Sequence, residues 1–295
     1  MEESRTIIST NPGRGYEVLG EVTVSTEKEI TEKVFKARQA LEGWRNLGVD
    51  GRVELLRKGV EIIRGRKEEI AQLVTREMGM PITQSRMDVD LSLDFYNWYL
   101  DNASECLSPE ICSEDNNNIH RIFYEPLGVA AVIAVWNFPL SNVIWGVHQN
   151  LVVGNTIVFK HSKEVILFSR LIEEIMGSCG LPEGVFNQVY GDSKIGDILV
   201  RQDINLICFT GSTETGRYLY KIGAEKLIKV ILELGGSAPG VVFEDADVDN
   251  ILESIYYGRF LNCGQVCDGL KRLIVHESKF DEVVEKLKKL LESKK

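Results

Sequence analysis

Four short stretches of this chain hold residue types that can make and break bonds. The first is FTGSTETG, Phe209 to Gly216, which follows an apolar run and opens a helical one. Gly211 lets the backbone turn tightly. The amides after it, with Ser212 at the helix start, suit a phosphate. A strand-to-helix turn can also need a glycine for its geometry alone. The second is ELGG, Glu233 to Gly236, after the apolar Val230–Leu232. A carboxylate at a strand end beside two glycines can face a cleft as a general base, or can be a solvated turn residue. The third is NCGQVC, Asn262 to Cys267. A cysteine in a polar, glycine-containing turn can be a nucleophile once its proton is taken. Cys263 reads as a packing residue, and the pair lacks further metal-type ligands nearby, so no metal is expected. The fourth is WNFP, Trp136 to Pro139, at the carboxyl end of an apolar run. Asn137 there can offer an amide N–H to an oxyanion, or can be a turn residue.

These residues need a frame to hold them. Thr26 and Glu29 have capping-box spacing, and Ile30, Val34, Ala37, Leu41 and Trp44 follow at helical intervals. A second helical pattern runs from Asp50 to Gly79, with a break at Gly65, and a third from Ser85 to Ser104. The stretch around Gly13 and Gly20 has the wrong spacing for a dinucleotide fingerprint and reads as a turn. From residue 120 short β-rich runs alternate with helical ones. Strands are predicted over 129–135, 156–160, 185–190, 206–209, 230–234, 241–243 and 271–276. Helices are predicted over 166–178, 194–201, 212–223, 248–260 and 278–291. This alternation predicts an α/β fold, a doubly wound parallel sheet with a partial second α/β domain. The boundary is expected between residues 232 and 233. Residues 104–125 are predicted to form a hairpin with its tip at Asn116–Asn118.

Composition excludes several classes of protein. The 295 residues are 44% hydrophobic and 26% charged, ordinary for a globular chain able to bury a core. Asp plus Glu exceed Lys plus Arg, 44 to 34, and no basic stripe is visible, so nucleic acid is not an expected partner. The N-terminal MEESRT lacks a leader pattern. The longest apolar run, Leu127 to Trp136, falls well short of the roughly 20 residues a membrane span needs. A cytoplasmic protein is expected. Six cysteines without CxxC pairing argue against a disulfide framework.

Taken in order, WNFP, Lys160 after a strand, FTGST, ELGG and NxGQxC resemble the aldehyde dehydrogenase superfamily, and the resemblance runs from Asn11 to the chain end. REMGMP (Arg76 to Pro81), ELGGSAP and GRFLNCGQVC look most like the succinate-semialdehyde dehydrogenase type. The resemblance implies a variant Rossmann domain binding NAD or NADP, and a small-molecule aldehyde as substrate. It implies that Cys267 attacks the aldehyde to give a thiohemiacetal, that hydride passes to the nicotinamide, and that the resulting thioester is hydrolysed. Glu233 matches the general base. Asn137 matches the oxyanion donor, with the Cys267 backbone N–H beside it. Lys160 matches the lysine on the adenosine ribose, Gly211 and Ser212 the pyrophosphate turn, and Trp136 and Leu234 positions near the nicotinamide. The 104–125 hairpin matches the segment that reaches a neighbouring subunit.

Three departures shape the expectations. Many members carry an acid three residues after the lysine, gripping the ribose 2′-hydroxyl. Lys163 stands there instead, which makes NADP plausible. The succinate-semialdehyde type has an arginine eight residues after the WNFP asparagine, for the substrate carboxylate. Trp145 stands there and favours a neutral or apolar aldehyde. His148, Gln149 and Asn150 occupy positions where small residues and proline are usual. Members also continue past the last strand-helix pair, so a homo-oligomer or a complementing chain is expected to complete the catalytic domain. The alternative is a non-catalytic chain that binds a nucleotide or a partner.

Overall fold

A computed structural model describes residues 5–294. The terminal MEES, read above for leader signals, lies outside the described residues. The chain divides into two compact units, Met1–Glu233 and Leu234–Lys295.

The first unit begins with an antiparallel hairpin, β1 (Thr6–Asn11) and β2 (Glu17–Thr23). The sequence reading gave this stretch only a turn. Tertiary contacts hold these strands, and no periodic apolar face announces them: Ser9 donates to the buried Glu77 carboxylate at 2.6 Å. Helices α1 (Glu27–Asn46), α2 (Gly48–Gly65), α3 (Lys67–Met78) and α4 (Ile82–Cys106) follow. The capping box forms at α1, where Glu29 N–H donates to Thr26 Oγ1 at 3.2 Å and Thr26 N–H to Glu29 Oε2 at 2.7 Å. Gly65 closes α2, as its break in the pattern predicts, and Gly79 ends α3 in a left-handed conformation at φ 81°. A second hairpin, β3 (Glu110–Glu114) with β4 (Ile119–Ile122), stands fully exposed with its turn at Asp115–Asn118.

The centre of the unit is a five-stranded sheet in the order β7-β6-β5-β8-β9. Its strands are β5 (Val129–Ile133), β6 (Thr156–Lys160), β7 (Phe186–Val189), β8 (Leu206–Gly211) and β9 (Lys229–Leu234). The pairs β5–β6, β5–β8 and β6–β7 are parallel. VAAVI and TIVFK are buried almost throughout, the expected texture of strands covered by helices. Between β5 and β6 run α5 (Pro139–Val143), a π-helical turn (Ile144–His148) and α6 (Gln149–Val152). Helices α7 (Ile166–Ser178), α8 (Ser193–Arg201) and α9 (Thr213–Lys226) supply the later crossovers. The winding direction reverses at β5, which has β6 on one side and β8 on the other. In open α/β sheets the crevice beyond the carboxyl ends of such strands is where ligands bind.

The second unit is a βαβα arrangement. Strands β10 (Ala238–Val242) and β11 (Leu270–Val275) pair in parallel, with α10 (Val248–Phe260) between them and α11 (Phe280–Ser293) after. Val242, Val248 and Val283 form its small core. Among the described residues no helix is long and apolar enough to cross a membrane.

Candidate functional site

Strands β5, β6 and β8 end on one cleft of about 770 Å³ at the switch point, well within the size of small-molecule sites. Lys160, the last residue of β6, lines it while only 6% exposed. Its Nζ donates to the His161 carbonyl at 3.2 Å. Burial draws its pKa down to about 8, against the pull of Asp192. Lys163 lies on the rim, exposed, with Nζ 3.6 Å from Glu164. Gly211 closes β8 under the cleft, and a Cβ there would fall 2.3 Å from the Phe209 ring, so only glycine leaves this floor intact. Ser212 is not among the lining residues; it is the exposed N-cap of α9, accepting from Thr215 N–H at 3.2 Å. The first turn of α9 then faces the cleft through Glu214 and Thr215.

Sequence reasoning missed one whole wall. Asp192, Ser193, Gly196 and Asp197 line the cleft from α8 and its N-cap, joined by Leu219 and by Tyr218, whose hydroxyl donates to Asp197. Asp192 caps α8 by accepting from Lys194 N–H at 3.0 Å and is held by Arg5 at 2.7 Å. Two helix N-termini therefore line the same space, that of α8 already holding the Asp192 carboxylate and that of α9 suited to an anionic group. The Asp-Ser pair before a helical run was the available signal for α8. Ile133, Ala134 and Phe209 add an apolar surface suited to a flat ring.

The WNFP turn continues directly from the cleft residues Ile133–Val135. Trp136 and Asn137 are half-buried there, and Pro139 begins α5. Side chains from three elements fasten this turn. Asn142 Nδ2 donates to the Phe138 carbonyl at 2.8 Å, with the Val135 carbonyl at 3.3 Å and Asn137 Oδ1 at 3.5 Å. His161 has Nε2 3.1 Å from the Pro139 carbonyl, and its Nδ1 accepts from Ser162 N–H at 2.8 Å. That pairing fixes the neutral Nε2–H tautomer, and burial holds the ring's pKa down near 4. Ser141 donates to the buried Asp88 carboxylate at 2.7 Å, and burial raises that carboxyl to about 6.

Trp145 lies on the π-helical turn and meets Phe95 of α4 edge to face, ring centres 5.9 Å apart. Of the three unusual residues after it, His148 and Asn150 are buried in the packing and Gln149 is exposed. His148 lies fully buried against Tyr96, ring centres 4.0 Å apart, and burial lowers its pKa to about 4. Gln149 meets the Tyr99 hydroxyl, and Asn150 donates to the Gly146 carbonyl at 2.8 Å.

Glu233 lies exposed at the end of β9, and its charge joins burial in raising the Cys208 thiol to about 11. Burial likewise raises Cys179 to about 11. Both thiols are therefore packing groups and poor nucleophiles. Leu234 opens the second unit, half-buried. In that unit Cys267 is exposed, with Sγ 3.9 Å from Asp268 Oδ1. Its carbonyl accepts from Gly236 N–H at 3.0 Å, so the ELGG turn and the cysteine turn are tied backbone to backbone. Lys271 Nζ donates to the Gly236 carbonyl at 2.8 Å. Asn262, Cys263 and Gly264 are all left-handed, at φ 50°, 56° and 80°. This corrects the packing role expected for Cys263: the left-handed turn leaves it exposed. Two non-glycine residues in that region store strain, which is concentrated at functional turns. The structure thus gathers Lys160, Lys163 and Gly211 on one cleft, with Ser212 next in the chain to Gly211 and the WNFP turn next in the chain to Val135.

The profile of the aldehyde dehydrogenase family matches residues 1–295. The chain is 34% identical over 288 residues to a 1-pyrroline-5-carboxylate dehydrogenase of Oceanobacillus iheyensis, covering 95% of this chain and 56% of that protein. It is 34% identical over 271 residues to the succinate semialdehyde dehydrogenase [NAD(P)+] Sad of Escherichia coli, covering 92% of this chain and 58% of that one. Among solved structures, the NAD+ complex of an aldehyde dehydrogenase from Bacillus cereus superposes with a TM-score of 0.93 at 31% identity, over 99% of this chain and 60% of that chain. The chain therefore spans somewhat more than half the length of these relatives.

Proposed function

Because the chain belongs to the aldehyde dehydrogenase family, we propose that it serves the NAD(P)-dependent oxidation of an aldehyde to a carboxylic acid. The observation that carries this reading is the switch-point cleft, lined by Lys160, Gly211 and the first turns of α8 and α9, whose lining residue Val135 directly precedes the WNFP turn in the chain. Lys160 would hold the adenosine ribose, and the Gly211–Ser212 turn the pyrophosphate. Trp136 and Leu234 would lie beside the nicotinamide, which takes the hydride when bound. Lys163 on the rim carries no acid to repel a 2′-phosphate, so NADP is accepted as well as NAD. The two cofactors named for the relatives agree with this.

In the chemical step Cys267 attacks the aldehyde carbon as a thiolate, its proton passing to Glu233. Asn137 Nδ2 and the Cys267 backbone N–H bind the developing oxyanion. Loss of hydride leaves a thioester on Cys267. Glu233 releases the first proton to solvent, then takes a proton from the attacking water, and departure of the acid restores the thiolate. Trp145, edge to face with Phe95, presents an aromatic wall in place of a guanidinium, which supports a neutral or apolar aldehyde over succinate semialdehyde. The exposed β3–β4 hairpin, with Ile111, Ile119 and Ile122 outward, supports a homo-oligomer or a complementing chain as partner.

The test is absorbance of the reduced cofactor with purified protein, NAD or NADP, and a panel of neutral and carboxylated aldehydes including succinate semialdehyde. Aldehyde-dependent reduction that disappears in Cys267→Ala supports the reading. Reduction that survives in Cys267→Ala refutes the nucleophile. Cofactor binding without any reduction favours the non-catalytic nucleotide-binding alternative.

A further inference from the structure

We infer that Asn142 is a positioning residue that decides which end of the Asn137 amide is presented to substrate. The inference rests on the proposed oxyanion role of Asn137. Asn142 is 3% exposed, on the first turn after WNFP. Three oxygens converge on its Nδ2: the Phe138 carbonyl at 2.8 Å, the Val135 carbonyl at 3.3 Å and Asn137 Oδ1 at 3.5 Å. An amide nitrogen carries two hydrogens and no usable lone pair, so it can donate to two of these acceptors and share a hydrogen with the third, whereas a carbonyl oxygen in its place would meet oxygen on every side. The Asn142 amide therefore has one acceptable orientation. Its own Oδ1 is buried without a hydrogen-bond partner, which underlines that the amide is held by its nitrogen end.

The consequence falls on Asn137. With an N–H donor beside it, Asn137 must turn Oδ1 toward Asn142, because the flipped amide would set two NH2 groups against each other. Nδ2 then becomes the end directed away from Asn142. An oxyanion site needs a donor whose orientation is fixed before charge develops. Asn142 supplies that orientation and, through the two carbonyls, holds the backbone on both sides of Asn137.

The test uses the whole chain with 15N-labelled asparagine. The Asn137 side-chain amide is assigned by its loss in Asn137→Ala, and spectra of Asn142→Leu and Asn142→Asp are compared with the parent. Both variants are close in size to asparagine, and each removes the donor. The expected result is that the Asn137 amide pair shifts or broadens in both. The buried Asn187 amide, which donates to the Gly184 and Ile157 carbonyls, stays in place as a control for the fold. An Asn137 pair unmoved in either folded variant overturns the inference. In the aldehyde assay the same variants are expected to lose kcat by about 10- to 100-fold with cofactor Kd within about twofold, a part of what an oxyanion donor is worth. Turnover unchanged in Asn137→Ala would remove the oxyanion role alone, because the amide shift would still report the clamp.

Discussion

Lys160 shows how a single side chain ties sequence to chemistry. A lysine ending a fully buried strand loses solvation, and beyond its bond to the His161 carbonyl its ammonium lines the cleft, where a ligand can supply partners. Lys160→Met is expected to weaken cofactor binding at least ~10-fold by calorimetry, since a charge-assisted hydrogen bond is worth about 1.5–3 kcal/mol. Lys163→Glu is expected to move the NADP-to-NAD affinity ratio at least ~10-fold toward NAD, by placing a carboxylate against a 2′-phosphate; an unchanged ratio would place Lys163 outside the ribose site. The motifs around Cys267, Glu233, Asn137 and Gly211 stand out in the sequence because their residue types suggest a chemistry, and the structure places Gly211 on the cleft. Asp192, Ser193 and Tyr218 do not stand out, because they reach the cleft through folding from stretches that look like ordinary helix starts and faces. His161 was also silent: nothing in KHSK reveals that the imidazole will reach the Pro139 carbonyl.

At the scale of elements, the helices and sheet strands were legible wherever one periodicity dominated. The capping box of α1, the break at Gly65 and the alternation from residue 129 onward all follow from local pattern. The β1–β2 hairpin was illegible because Glu77 and its partners supply what periodicity does not. Around the WNFP helix, Asp88, His148 and His161 are buried titratable groups, and they give a pH signature. His148 and His161 are held near pKa 4, below the ordinary histidine value near 6.5, so the unfolded chain takes up protons first as pH falls. Their contribution to stability is therefore lost between about pH 6.5 and 4. Asp88, raised to about 6, works in the opposite sense and favours the folded state as it protonates below that pH. Asp88→Asn is thus expected to raise Tm at pH 8 by a few degrees and to steepen the loss toward pH 5. A Tm lowered at both pH values would contradict the buried charge. At the exposed hairpin, Ile111→Glu with Ile119→Glu is expected to shift sedimenting species toward the monomer, with cofactor affinity unchanged.

For the molecule as a whole, the two units divide the proposed labour. The larger carries the cleft, the WNFP turn and Glu233, and the smaller carries Cys267 on a left-handed turn tied to Gly236. The claim on which the rest depends is that the switch-point cleft binds a nicotinamide dinucleotide. It needs no turnover to be tested. Calorimetric titration of the whole chain with NADP and with NAD should give one site per chain. The same titration of Gly211→Val, whose side chain would meet the Phe209 ring, should lose that site while the protein remains folded by circular dichroism. Equal affinity in the parent and in folded Gly211→Val, or no binding to the parent at all, would contradict the assignment of the cleft.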